Sequence, residues 1–255
     1  MVGEDGFVKG KRLSDRVVYV RSWSGVQLRG ADHLWHRYGG CVDESVIPAG
    51  HRRRLSAFAR MAVVCGLSLD HVEDLDLVFC SRYGDMDTAC KLLTELAVGG
   101  TLSPAAFSMS VLNAAPGVID LIRKSNVGHT AVAAGSQSLS AGLVEAWGRL
   151  VENPKRHVAL IYSEVTLPSE RKGCLTDEIT GRGLALELSW QGGSNVVAKL
   201  ALDSSATNEA RPEIPSSEGL CDSLLEALAE KVPSDVRWHS RGAGWSMKVL
   251  SDAQD

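Results

Sequence analysis

No apolar run in the 255 residues approaches the roughly 20 needed to cross a bilayer, so the sequence offers no membrane-spanning helix. Its first fifteen residues, MVGEDGFVKGKRLSD, lack the apolar core of a secretory signal. They read as a flexible leader, and the expected location is the cytoplasm. Neither sign of charge is in excess. Lys and Arg number 27 against 31 Asp and Glu, a net charge of −4, which gives no general attraction to nucleic acid. There is no C-x-x-C pair and no Cys/His cluster at metal-ligand spacing, so neither a metal nor another cofactor is expected. The six cysteines (Cys41, Cys65, Cys80, Cys90, Cys174, Cys221) are scattered, several within apolar runs such as MAVVCGL and LVFCS. They read as reduced core residues rather than a disulfide framework. No internal repeat is visible.

What is present suits a large globular core: 44% hydrophobic and 23% charged residues. RVVYVRSW (16–23) is strand-like. RRRLSAFARMAVVCGL (52–67) places Leu55, Phe58, Ala62 and Cys65 at helical spacing. DLDLVFCSR (74–82) reads as a strand buried on both faces. The following helix runs through Met86, Ala89, Leu93 and Leu96 and stops at Gly99-Gly100, with Asp85 and Asp87 as helix-start carboxylates. In residues 102–126 two more helices start, at Ser103-Pro104 and at Asn113, the second closed by Asn126 and Gly128. HTAVAA (129–134) is the next buried strand. The helix after it presents Leu139, Leu143, Ala146, Trp147 and Leu150 on one face and ends at Asn153-Pro154, and HVALIYS (157–163) follows as another buried strand.

The order β-α-α-β-α-β predicts an α/β fold with a mixed, mostly parallel sheet covered by helices. GLALELSW and NVVAKLAL, flanking QGGS, predict an antiparallel hairpin. Residues 204–219 are linker-like, and a helix (LCDSLLEALAEKV) and a strand (GWSMKVLS) finish the chain. The expected organisation is a leader (1–15), a main domain (16–204), and a segment (205–255) of linker, helix and strand packed on the same domain.

The stretch TAVAAGSQSL (130–139) turns sharply from strand to helix. A thiol at such a helix start is favoured as thiolate, and the same amides can hold an oxyanion. Here Gly135 stands where the nucleophile would be. Ser136 is a weak alternative, with Ser138 beside it. Either would need a base and a group to orient that base. GSQS is not the Gly-x-Ser-x-Gly elbow, and no histidine has an evident relation to it. A capping role for these serines is the simpler reading.

The junction VAAGSQSL resembles that of the β-ketoacyl synthases, thiolase-fold condensing enzymes, with Gly135 in the place of their cysteine. FSMSVLNAAPG (107–117) is similar to the segment along the synthase dimer interface. HVALIYSEV, ending at Glu164, and GRGLALELS are similar to the strands that follow. The motifs RRRLSAFARM, SRYG (81–84) and NAAPG (113–117) resemble the short chain-length-factor-like ketosynthases of aryl-polyene pathways. The likeness spans Val17 to Ser204. A working synthase also uses two histidines from His-Gly-Thr-Gly and Asn-x-x-His motifs; the first motif is absent here, and the second spacing occurs only as NVGH (126–129), directly ahead of the HTAVAA strand. Leu112 stands where the subfamily has histidine. Polyketide chain-length factors carry glutamine at the cysteine position, whereas here the glutamine is Gln137, two residues on.

The resemblance implies a thiolase-like fold, the N-terminal half of a condensing enzyme. It implies no condensing activity for this chain alone. It implies a heterodimer with a full-length ketosynthase, joined through the strand bearing Thr130, Val132 and Ala134 and acting on acyl carrier protein. Phe107, Met109, Val111, Leu112 and Asn113 would line the interface and shape the acyl tunnel, so limiting product length. Arg52, Arg53 and Arg54 are candidate contacts for the acidic carrier protein. Two other readings stand beside this one: a scaffold or carrier-recruiting subunit without length control, and an independent Ser-dependent acyl hydrolase or transferase. No nucleic acid or membrane partner is expected, and Glu164 reads as structural.

Overall fold

The computed structural model describes residues 17–30, 32, 34–70, 75–167, 178–192, 196–203, 216–231, 233–240 and 243–250. The expected leader (1–15), most of the linker-like segment (204–215) and Cys174 lie outside the described residues. Within them one sheet contains β1 (Val17–Arg29), β2 (Leu34–Gly39), β3 (Asp76–Cys80), β4 (His129–Val132), β5 (His157–Val165), β6 (Ile179–Ser189), β7 (Ala198–Asp203), β8 (Asp235–Ser240) and β9 (Ala243–Val249). Its order is β4-β3-β5-β6-β1-β7-β9-β8, with β2 also paired to β1.

β1 organises this sheet because it is long. Burial alternates along its first seven residues and is continuous from Ser24 to Leu28. Its register against β6 shifts between Val20 and Ser22. Strand side chains alternate faces with a period of two, so this irregularity exchanges them. Val18 and Val20 therefore enter one core cluster, while Val26 and Leu28 enter the other. β1 also occupies the place between β6 and β7, pairing Tyr19 with Ser189 on one side and with Lys199 on the other. The hairpin expected from GLALELSW and NVVAKLAL therefore does not form. A non-local partner has taken the edge that each would have offered its neighbour.

β4, β3 and β5 are parallel. The remaining pairings are antiparallel. The mostly parallel sheet expected from the central pattern is thus confined to those three strands of a mixed sheet. β4 is its terminal strand and only half-buried, not the buried strand expected from HTAVAA. One edge is bonded to β3, and no strand among the described residues pairs with the other.

Helices cover both faces: α1 (Ala49–Arg52), α2 (Ala57–Leu67), α3 (Met86–Ala97), α4 (Pro104–Ser110), α5 (Ala114–Arg123), α6 (Ser138–Glu152) and α7 (Ser217–Glu230). α2 and α5 supply one cluster, α6 and α7 the other. α2 is apolar nearly all round and lies buried between α5 and the sheet. Gly66 allows that approach: a Cβ there would stand 2.7 Å from the Cδ1 atoms of Ile119 and Ile161. α6 buries Leu139, Leu143, Ala146, Trp147 and Leu150, the face its spacing predicts.

The single helix expected over 52–67 is two. Ser56 Oγ accepts from Ala59 N at 3.1 Å and starts α2 afresh. Arg52 ends α1, and Arg53 and Arg54 lie in the turn after it. The arginines thus lie at and after the end of the single-turn α1, ahead of the Ser56 cap of α2. α5 closes at Lys124, in the left-handed region at φ 56°, ahead of Asn126 and Gly128. Ser125 N bonds back to Asp120 O at 2.9 Å and satisfies the helix end there. Along α3 only Leu92 is buried, and Leu93 and Leu96 of the expected apolar stripe are exposed. No single helix among the described residues is long and apolar enough to cross a membrane.

Candidate functional site

β4 delivers the chain to a single 3-10 turn, Gly135–Gln137, from which α6 departs. Gly135 has φ +60°, and a Cβ built on it meets nothing within 4 Å. Its backbone is thus one that glycine adopts freely, facing open space. Ser138 Oγ accepts from Ala134 N (3.0 Å) and donates to Gly135 O (2.8 Å). Ser217, the first residue of α7, accepts from Leu139 N (2.9 Å) and donates to Ser136 O (3.0 Å). Hydroxyls have therefore taken two of the amides around this turn. Ser136 is exposed, and its own hydroxyl has no hydrogen-bond partner among the described residues. A serine nucleophile needs a base in contact. His129 is engaged with Asp120 (2.6 Å), and His157 with Glu187 (2.7 Å).

The carboxyl ends of β3 and β5 meet beside this turn. Glu164, 4% exposed, accepts from Ser81 Oγ (2.9 Å) and Arg82 N (2.6 Å) through Oε2, while Oε1 has no partner. Burial pushes its pKa up to about 7, against the pull of the Arg82 and Ser81 hydrogen bonds, and the Glu218 carboxylate adds to the rise. Ser81 Oγ accepts in turn from Gly84 N at 2.9 Å, so Glu164 holds the SRYG turn in place. Arg82 reaches Glu218 on α7 at 3.7 Å. The acidic end of HVALIYSEV was visible in the sequence. Its tie to the SRYG turn was not, because the partners lie 83 residues apart.

The other sequence-selected residues fall into two groups. On β4, Thr130 accepts from Arg149, which also pairs with Asp76. Val132 packs on the α6–α7 core, and Ala134 is half-buried at the turn. On α4 and its exit, Phe107 is 58% exposed and Val111 46%. Leu112 packs on the α2–α5 core and lies 3.4 Å from a Cβ built on Gly84. Asn113 precedes α5 without a side-chain capping bond. Met109 is half-buried and lines a cavity of about 470 Å³ together with Arg54, Leu55, Ser56, Lys91 and neighbouring residues of α3 and α4. Arg54 and Met109, chosen from the sequence for different reasons, thus meet in one cavity. Arg52 instead donates to Glu44 O at 3.3 Å, and Arg53 is exposed. Among the described residues no three His, Cys, Asp or Glu side chains are grouped to hold a metal ion.

The profile of the β-ketoacyl synthase N-terminal domain matches residues 23–246. The chain belongs to that family. The synthase-family fold recurs in solved structures. A chain of the ketosynthase ApeO in complex with its chain length factor ApeC, from Xenorhabdus doucetiae, has TM-score 0.64 at 23% identity, over 91% of this chain and 99% of that one. A chain of the AntDE:AntF complex, a type II polyketide synthase acyl-carrier protein with its ketosynthase bound to the hexaketide, has TM-score 0.52 at 13% identity. That match covers 72% of this chain and 68% of that one. At these identities the likeness is one of fold. No curated protein sequence matches the chain. Within the synthase-family domain, the strand-to-helix junction, where the sequence resemblance puts the family's nucleophile, holds Gly135.

Proposed function

We propose that this chain is a non-catalytic, cytoplasmic chain-length-factor subunit. It pairs with a full-length β-ketoacyl synthase, which supplies the cysteine and histidines, and shapes the tunnel in which an acyl chain grows on acyl carrier protein. The observation that carries the reading is Gly135: an open, glycine-permitting turn at the helix start, where, among the described residues, no thiol stands, the Ser136 hydroxyl has no partner and no histidine bonds to the turn.

Two further features support a partner. Among the described residues no strand pairs with the outer edge of β4, and an unpaired edge at a sheet boundary invites pairing. Of the eleven large exposed apolar side chains among the described residues, seven lie between Leu93 and Val127, on the run from α3 through α4 and α5 to the start of β4. Such a concentration along this run supports an interaction surface there. The X. doucetiae complex pairs a ketosynthase with a chain length factor, and its matched chain is nearly the length of this one. The product class by sequence resemblance is an aryl polyene or a related polyunsaturated chain.

Co-expression with a full-length synthase of the same family tests this. A stable one-to-one complex by size-exclusion chromatography with light scattering is expected. Met109→Ala or Leu112→Trp in that complex is expected to shift the length of the product by mass spectrometry. A complex whose product length ignores both changes favours the scaffold reading. A chain that forms no complex contradicts the proposal.

A further inference from the structure

The cavity between the α1–α2 turn, α3 and α4 has walls of two kinds. Arg54 comes from the turn and Lys91 from α3, and neither has an ion-pair or hydrogen-bond partner for its charged group among the described residues. Ser56 lies beside them. Its Oγ accepts from Ala59 N, which leaves its O–H free to donate. Thr88 adds a second hydroxyl to the lining, and Leu55, Ala105, Ala106 and Met109 supply its apolar part. The volume, about 470 Å³, is within the range typical of small-molecule sites. Asp85, close by in sequence, is buried and already satisfied by Thr88 N (3.1 Å) and Thr88 Oγ1 (2.8 Å).

Two exposed cations without a partner among the described residues, lining one recess together with hydroxyl and apolar side chains, match one ligand chemistry. We infer that this cavity binds an anionic head group, phosphate or carboxylate, carried on a short aliphatic stem. Arg54 and Lys91 hold the anion by charge-assisted hydrogen bonds, Ser56 donates to it, and the stem lies along Met109 and Ala106. Met suits such a wall because its unbranched chain adapts to the stem. A phosphate-bearing carrier arm and the carboxylate of a finished acyl chain share this chemistry. The inference goes beyond the tunnel role and does not need the ketosynthase partner.

The test uses the full chain with ¹³C-methyl methionine and follows the methyl signals by NMR. The chain has five methionines, and buried Met61 and Met247 serve as internal controls. Hexyl phosphate is expected to move the Met109 signal and leave Met61 and Met247 in place. Hexanol is expected to need about tenfold more for the same shift, the loss of a charge-assisted hydrogen bond or two. Arg54→Glu with Lys91→Glu is expected to abolish the response. Arg54→Gln, a milder change, is expected to weaken it about tenfold while the melting temperature holds. Pantetheine 4′-phosphate and sorbate then separate the sources, the tighter binder naming the natural head group. Equal shifts from hexyl phosphate and hexanol, a response that survives the double charge reversal, or no shift of Met109 would each overturn the inference. A chain that binds hexyl phosphate but no ketosynthase would overturn the chain-length reading alone. The converse result would overturn the anion site alone.

Discussion

Ser217 Oγ accepts from Leu139 N at 2.9 Å, so the first residue of α7 caps the first turn of α6 across 78 positions. The same hydroxyl donates to Ser136 O at 3.0 Å, and Ser217 is wholly buried. The strand–turn–helix junction is thereby closed by a residue from the C-terminal part of the chain. Ser217→Ala leaves a buried amide and a carbonyl without this partner. The expected loss is about 1–2 kcal/mol of stability, read from the urea midpoint of the full chain at unchanged slope.

Gly135→Cys restores a sulfur at the junction without restoring a synthase. The space is open, so the variant is expected to fold. The left-handed φ of +60° costs a side chain about 1 kcal/mol. The new thiol is expected to react with a disulfide reagent, since Gly135 is exposed. It is not expected to condense acyl and malonyl thioesters, because among the described residues no histidine bonds to the turn. Condensation by this variant alone would show that the chain holds more of the catalytic machinery than its geometry indicates.

Glu164 makes stability depend on pH with a definite sign. Its folded pKa of about 7 stands above the unfolded value near 4.3. Between those values the folded state keeps a proton that the unfolded state has lost. Stability therefore falls as pH rises through this window and levels off above it. Glu164→Gln keeps an acceptor for Ser81 and Arg82 but cannot ionise. Relative to that variant, the wild-type chain is expected to lose on the order of 3 kcal/mol between about pH 4.5 and pH 7.5. Parallel denaturation curves for the two proteins would remove the raised carboxyl from the explanation.

The exposed face from α3 to β4 gives a separable prediction. Leu96→Glu and Phe107→Glu place charge on side chains that are 57% and 58% exposed in the isolated chain. Their effect on its melting temperature is expected to be slight, within about 0.5 kcal/mol. Their effect on the complex with a ketosynthase is expected to be large, about tenfold or more in Kd, because a desolvated carboxylate would have no partner there. Equal weakening of fold and complex, or of neither, would place the interface elsewhere.

The features readable from sequence are those set by local pattern. The face of α6, the start of α4 at Ser103-Pro104 and the buried run of β3 follow from spacing and capping within a few residues. Gly135 at the junction was visible for the same reason. What escaped depends on distant partners. β1 inserts between β6 and β7, and its local irregularity after Val20 sends Val18 and Val26 to opposite cores. β8 has a short mixed sequence, DVRWHS, and owes its place to pairing with β9. Ser56 was read as part of a helix, and only its bond to Ala59 N reveals the break that frees Arg54 to line the cavity. The apolar composition of β4 and α3 could not distinguish a core from a surface awaiting a partner, since both bury the same side chains.

The most direct test gives the purified chain, alone, an acyl thioester and a malonyl carrier thioester, and follows the products by mass spectrometry. No elongated product and no acylated chain are expected, and elongation should appear once a full-length ketosynthase is added. A longer acyl product made by this chain with nothing else present would contradict the claim that its junction carries no nucleophile.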